Sequence, residues 1–337
     1  MNRLADILAL QRPEAQADLP PLLLAPMAGI TDWTVRLLCE SYGCDAATTE
    51  MISAQGFLSA RKTLSAYRRL IARAPFEKPL AVQIFGHDPL YMGEAAHVMS
   101  GLQRYSSIDI NMGCPARKVT SSGSGSALMR DERLAGAVIR AVVRGSVLPV
   151  SVKMRLGWDE EHLNAVTIAR IAESEGASFV TVHGRTTSQQ YSGHADWQRI
   201  GEVKASVRIP VIANGDITDA ASALRAWRIT GADGLAIGRG ALGQPWVYQG
   251  IFRGFRGEDW QPPSPRERIA LARRHARWLS ADRDPHRALL EMRKFYAWYI
   301  KGLRGAAEAR TRINQAESFE EADRVLDALT AAIDAAE

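Results

Sequence analysis

The stretch DINMGCP, residues 109–115, sets Cys114 between a glycine and a proline at the end of an apolar run. Proline continues neither a helix nor a β-ladder, so the flanks predict a turn that displays the thiol. An ordinary thiol is mostly protonated at neutral pH. No histidine or acid stands directly beside Cys114 to make a thiolate, and a general acid is therefore favoured over a nucleophile. Lys153 and Arg155 form a second pair, two residues apart in VKMR, so strand alternation places both on one face. His183 closes another short apolar run, FVTVH. NGD (214–216) and GRG (238–240) follow two more.

These groups need elements that bring them together. Short apolar runs recur at 22–25, 45–50, 80–85, 108–112, 150–154, 179–183, 211–213 and 234–238. Segments with apolar positions three and four apart separate them, for example 134–143 and 164–174. Eight strands alternating with helices predict a (β/α)₈ barrel, with an open doubly wound sheet as the rival. In a barrel the active site gathers at the C-terminal strand ends. Those ends collect Pro26, Met27, Ala28 and Gly29, then Gln83, Asn111, Cys114, Lys153, Arg155, His183, Asn214, Gly215, Asp216, Gly238 and Arg239.

Glycines after the last two strands let backbone N–H groups approach an anion, and Arg239 adds a clamp, so a phosphorylated cofactor or substrate is expected. Lys153 is either paired with a neighbouring acid or, as favoured here, a cation under a flavin ring that stabilises the anionic reduced form. Cys39 and Cys44, around the first helix, are read as core.

Beyond Gly254 the character changes. GFRGEDWQPPSPRE reads as a linker, and no strand follows. Ser264 to Glu267 and Ser318 to Glu321 carry capping-box signals. Helices are expected at 265–280, 286–302, 306–315 and 319–335, forming a small bundle. The expected division is an N-terminal extension (1–20), whose role no motif tells, a barrel (21–254) and a helical domain (255–337). From Arg266 to Arg312 there are 13 Lys/Arg against five acids, while one Arg faces seven acids from Ile313 onward. A basic face of this kind suits nucleic acid. Phe295, Tyr296, Trp298 and Tyr299 are read as bundle core.

The 337 residues exceed one ordinary core, and the net charge is +5. No apolar run approaches a membrane span, and the first residues do not read as a secretory signal. Three cysteines without CxxC spacing speak against a disulfide framework or a metal site and suit a reducing cytoplasm. A monomer is the default.

In order along the chain, PMAGITD (26–32), DINMGCP (109–115), VKMRLGWD (152–159), VHGRT (182–186), VIANGDI (211–217), IGRGALGQPW (237–246) and KGLRGAAEARTRINQAE (301–317) resemble the bacterial tRNA-dihydrouridine synthase family, branch B, the nitrogen-regulation-like group. The resemblance implies an FMN-binding TIM barrel and a helical tRNA-binding domain. It implies that NADPH (or NADH) reduces FMN, that hydride passes to C6 of a uracil in RNA, and that Cys114 protonates C5. By the same resemblance Pro26, Met27, Ala28, Gln83, Lys153, Asn214, Gly215, Asp216, Gly238 and Arg239 hold FMN. His183 joins the cofactor set at the mouth, and Asn111 and Arg155 contact the substrate. The segment SSGSGSALM (121–129) is smaller than relatives carry, and a mobile lid is expected there. The rival functions are an FMN barrel acting on a small pyrimidine, such as a dihydroorotate dehydrogenase, and an RNA-binding protein on an inactive barrel. Which uridine is reduced is not written in any motif.

Overall fold

A computed structural model describes residues 3–8, 10, 16–59, 65–74 and 77–335. Nine parallel strands form the sheet: β1 (Leu22–Leu24), β2 (Ala46–Thr48), β3 (Ile52–Ser53), β4 (Leu80–Phe85), β5 (Ser107–Met112), β6 (Val150–Met154), β7 (Phe179–His183), β8 (Val211–Asn214) and β9 (Gly234–Ile237). β1 pairs with both β2 and β9, and β2 also pairs with β4, so eight strands close into a barrel. β3 pairs only with the end of β4. The second strand is therefore split rather than continuous over 45–50. Thr49 turns its hydroxyl to accept the Gln83 N–H at 3.0 Å, and Glu50 accepts the N–H of Gly29.

Alternation decides which side chains meet. Ile108, Ile110 and Met112 face the helices, as do Val150, Val152 and Met154, all within the apolar core. Register sets Gln83 beside Asp109, Asp109 beside Ser151, and Asn111 beside Lys153. Polar side chains thus share the inner face of apolar strands.

The N-terminal residues acquire a role. The helix Arg3–Ile7 sets Leu4 and Leu8 against Leu23, Ala25, Ala46, Phe179, Ile212 and Ala236, a buried cluster inside the barrel. Gly234 leaves room for it, since a Cβ there would lie 2.8 Å from a Leu4 methyl.

After the helix Val247–Phe255, residues 256–264 lead without strand or long helix into four helices: Pro265–Asp282, Pro285–Tyr299, Ala306–Gln315 and Phe319–Asp334. Ser264 and Glu267 form the expected capping box. Ser318 caps the N–H of Glu321, but the Glu321 carboxylate accepts from Glu317 rather than reaching back to Ser318. No helix among the described residues is long and apolar enough to cross a membrane.

Leu4 is fully buried in that cluster, so Leu4→Ala is expected to cost about 2 to 5 kcal/mol. Thermal melting should show a clear drop, with the chemistry at the opposite rim unchanged per folded molecule.

Candidate active site

The strand ends and the helical segment enclose a cleft of about 1370 Å³, and of the strand-end residues collected from the sequence all but Gly29 border it. Trp298, Lys301 and Arg268 line it from the helical side.

Cys114 follows β5 directly and is half-buried. Its backbone is held on both sides. Asn111 Oδ1 accepts the N–H groups of Gly113 (3.0 Å) and Cys114 (2.9 Å). Ser126 donates its N–H (3.1 Å) and its hydroxyl (3.0 Å) to the Cys114 carbonyl. The thiol itself has no hydrogen-bond partner among the described residues. Ser126 belongs to a 3₁₀ turn, Gly125–Arg130, whose Gly125, Ser126, Leu128 and Met129 are buried. Gly125 has φ +61°, and a Cβ there would lie 2.8 Å from the Cys114 carbonyl. The expected lid is thus a buttress over 124–129. Its small residues serve close approach, and only Ser121 and Ser122 are exposed.

Asn111 is itself directed from the barrel interior. Its Nδ2 donates to Gln83 Oε1 (2.8 Å), Gln83 Nε2 donates to Asp109 Oδ2 (2.7 Å), and Ser151 donates to Asp109 Oδ1 (2.6 Å). Burial pushes the Asp109 carboxyl up to about 6, against the hydrogen bonds from Gln83 and Ser151 and the charge of Lys153.

Lys153 donates to Asn214 Oδ1 at 3.2 Å and makes no ion pair among the described residues. The neighbouring-acid alternative is therefore met only at a distance, by Asp109. Burial pulls the ammonium down to about 8; Arg155 pulls further and Asp109 opposes. Asn214 is fixed by donating Nδ2 to the carbonyl of Ala236 (2.7 Å). His183 is held well below the usual histidine range by burial and by the surrounding Lys153, Arg155, Arg185 and Arg239, so it stays neutral near pH 7.

Arg155 spends Nε on the carbonyl of Gly113 (2.8 Å) and Nη1 on those of Thr186 (2.6 Å) and Gln190 (2.8 Å). It ties the cysteine loop to the loop after β7 and leaves Nη2 uncommitted. Asp216, at φ +54°, accepts from Arg185 (2.8 Å) and the N–H of Ala195 (2.7 Å), with Arg239 at 3.4 Å. Burial alone would raise its carboxyl, but Arg185 and these hydrogen bonds hold it below the usual range. The backbone N–H groups of Gly215, Asp216, Gly238 and Arg239 donate to no protein acceptor among the described residues. Gly240 brings the two loops together, since a Cβ there would collide with the carbonyl of Ile217.

Several participants escaped the sequence reading. Asp109 and Arg185 each lie two residues from an assigned neighbour, so alternation could have found them. Tyr191, 55% exposed between Arg239 (4.8 Å) and Arg155 (5.7 Å), had no signal. Phe295, Tyr296 and Tyr299 are bundle core, as expected; Trp298 packs edge-on against Phe295 (5.3 Å) at the margin of that core and in addition borders the cleft, its backbone on Gly243. Cys39 and Cys44 are buried core, as anticipated. No cluster of three metal-ligating side chains occurs among the described residues.

The profile of the family described as dihydrouridine synthase (Dus) matches residues 23–337. A probable tRNA-dihydrouridine synthase of Rickettsia conorii is 42% identical over 297 residues, covering 87% of this chain and 88% of that protein. The tRNA-dihydrouridine synthase B of Xanthomonas axonopodis pv. citri is 42% identical over 307 residues, covering 89% of each. A probable tRNA-dihydrouridine synthase of Mycobacterium leprae is 36% identical over 342 residues, covering 92% of this chain and 88% of that protein. With a match this long, lying over the strand ends that build the cleft, the chain belongs to the dihydrouridine synthase family.

Proposed function

We propose that the protein reduces uridine in tRNA to 5,6-dihydrouridine, with FMN as cofactor and NADPH (or NADH) as reductant. The observation that carries this reading is the pairing, across one cleft, of a thiol on a pinned backbone with a lysine, neither the thiol hydrogen-bonded nor the lysine ion-paired among the described residues.

The residues fit a flavin phosphate ester. Unclaimed N–H groups at Gly215, Asp216, Gly238 and Arg239, with the Arg239 guanidinium, suit the phosphate. Pro26, Met27, Ala28, Gln83, Lys153, His183 and Asn214 would border the ring. When bound, the flavin supplies the hydride that goes to C6 of the uracil.

Cys114 Sγ–H gives its proton to C5, and the thiolate left behind recovers one from solvent. Lys153 contributes positive charge where the neutral His183 contributes none. Asn111 and Arg155 are the substrate contacts of this reading: Arg155 through Nη2, and Asn111 through the Nδ2 hydrogen that meets only the weakly accepting Met51 sulfur at 3.5 Å; their other atoms set the height of Cys114. The target base must leave its stack, which costs a few kcal/mol. Phosphate contacts along residues 255–337, the proposed tRNA-binding domain, offset that cost. The cytoplasm, where tRNA is modified, is the corresponding compartment.

The test is anaerobic. Protein reduced with NADPH is mixed with unmodified tRNA transcripts, and oxidised-flavin absorbance is followed. Reoxidation by tRNA but not by free uridine or orotate supports the reading; reoxidation by a small pyrimidine alone replaces it. Cys114→Ala should retain FMN and NADPH oxidation yet lose at least about 100-fold in dihydrouridine formation, the usual scale for a lost general acid. Because the Lys153 charge is lost as pH rises through about 8, FMN affinity should fall across that range. The inflection should vanish in Lys153→Met, whose affinity is low throughout.

A further inference from the structure

The loop after β1 borders the cleft with Pro26, Met27 and Ala28 and runs beneath the helical segment with Gly29 to Asp32. Its two halves are joined by short bonds. Thr31 Oγ1 accepts the Met27 N–H at 3.0 Å, and the Met27 carbonyl accepts the N–H groups of Ile30 and Thr31, each at 3.0 Å. A displacement at 29–32 therefore reaches Met27 directly.

Four side chains grip the outer half. Two come from the barrel: Glu50 accepts the Gly29 N–H, and the fully buried Arg36 donates to the Thr31 carbonyl at 2.9 Å. The other two come from the helical segment. Lys294 donates to the Gly29 carbonyl, and Arg283 pairs with Asp32. Gly29 has φ +74° with nothing within 4 Å of a notional Cβ, so glycine serves the backbone turn and not a lack of space.

Resting on the flavin reading above, we infer that Lys294 is a positioning residue for the cofactor. By holding the Gly29 carbonyl it keeps Pro26 to Ala28 in the shape that meets the flavin, and the helical segment thereby completes the cofactor site as well as facing RNA. Arg283 supports the same loop through Asp32. A preorganised edge binds more tightly because less ordering is left for the binding step.

The interface supplies its own control. Arg69 also crosses it, pairing with Glu291 at 3.1 Å on the surface; Glu291 pairs in turn with Arg283, so Arg69 reaches Asp32 only through that relay and makes no bond to the loop among the described residues. In the full-length protein stripped of flavin, FMN titration followed by fluorescence quenching should show Lys294→Met weakened about fivefold or more. Lys294→Arg should regain most of the affinity, and Arg69→Met should match the parent. Amide exchange at Ile30 and Thr31 should quicken in Lys294→Met alone. An FMN affinity within about twofold of the parent in Lys294→Met, or an equal loss in Arg69→Met, overturns the inference. If the parent itself takes up no FMN, the flavin reading falls and the inference built on it falls too; exchange at Ile30 and Thr31 then shows whether Lys294 still holds the loop.

Discussion

A buried carboxylate can only accept hydrogen bonds, and a backbone N–H can only donate. Between Asp109 at one end and the N–H groups of Gly113 and Cys114 at the other lie two amides, Gln83 and Asn111. With the ends fixed in polarity, each amide has one orientation that satisfies its neighbours, and every bond in the series points the same way. The position of the one half-exposed cysteine is thereby referred to the middle of the barrel rather than to a surface loop. Ser126 on the other side and Arg155 below complete the mounting. A site held by strands and their immediate neighbours is more exact than one carried by a free loop.

The same interior explains the electrostatic character of the cleft. Lys153, Arg155, Arg185 and Arg239 crowd one rim, and their combined charge, with burial, keeps His183 neutral. Asp109 and Asp216 answer part of this charge, yet neither forms an ion pair with Lys153. Burying charge without full pairing is costly, and here the cost falls at one cavity. Arg155 and Arg185 offset theirs by donating to loop carbonyls, so the loops around the cleft are organised by the cations they surround.

Contacts across the chain finish the enclosure. Gly243 admits the backbone of Trp298, and Gly240 admits the carbonyl of Ile217, so loops after different strands and a distant helix meet without side chains between them. The helical segment in this way becomes a wall of the cleft.

Much of this was legible in the residue order because it follows from local periodicity. Period two placed Lys153 with Arg155, and the end of an apolar run set Asn111 and Cys114 after β5; period 3.6, with the Ser264 and Ser318 caps, marked helices after residue 264. The polar strand ends also identified the rim, since barrel closure brings every strand end to one face. What the sequence could not show depends on contacts between residues far apart. Alternation points to Arg185, but its work is set by Asp216 and the carbonyls of Ser192 and Gly193; Trp298 depends on Gly243, and Leu4 on the barrel's interior. The serine and glycine run after Cys114 has the composition of a mobile lid and the burial of a buttress, because small residues permit either and only the neighbouring backbone decides. Sequence determined which groups were offered to the cleft; the closed barrel decided which of them were free to act, because only there do their hydrogen-bond partners arrive.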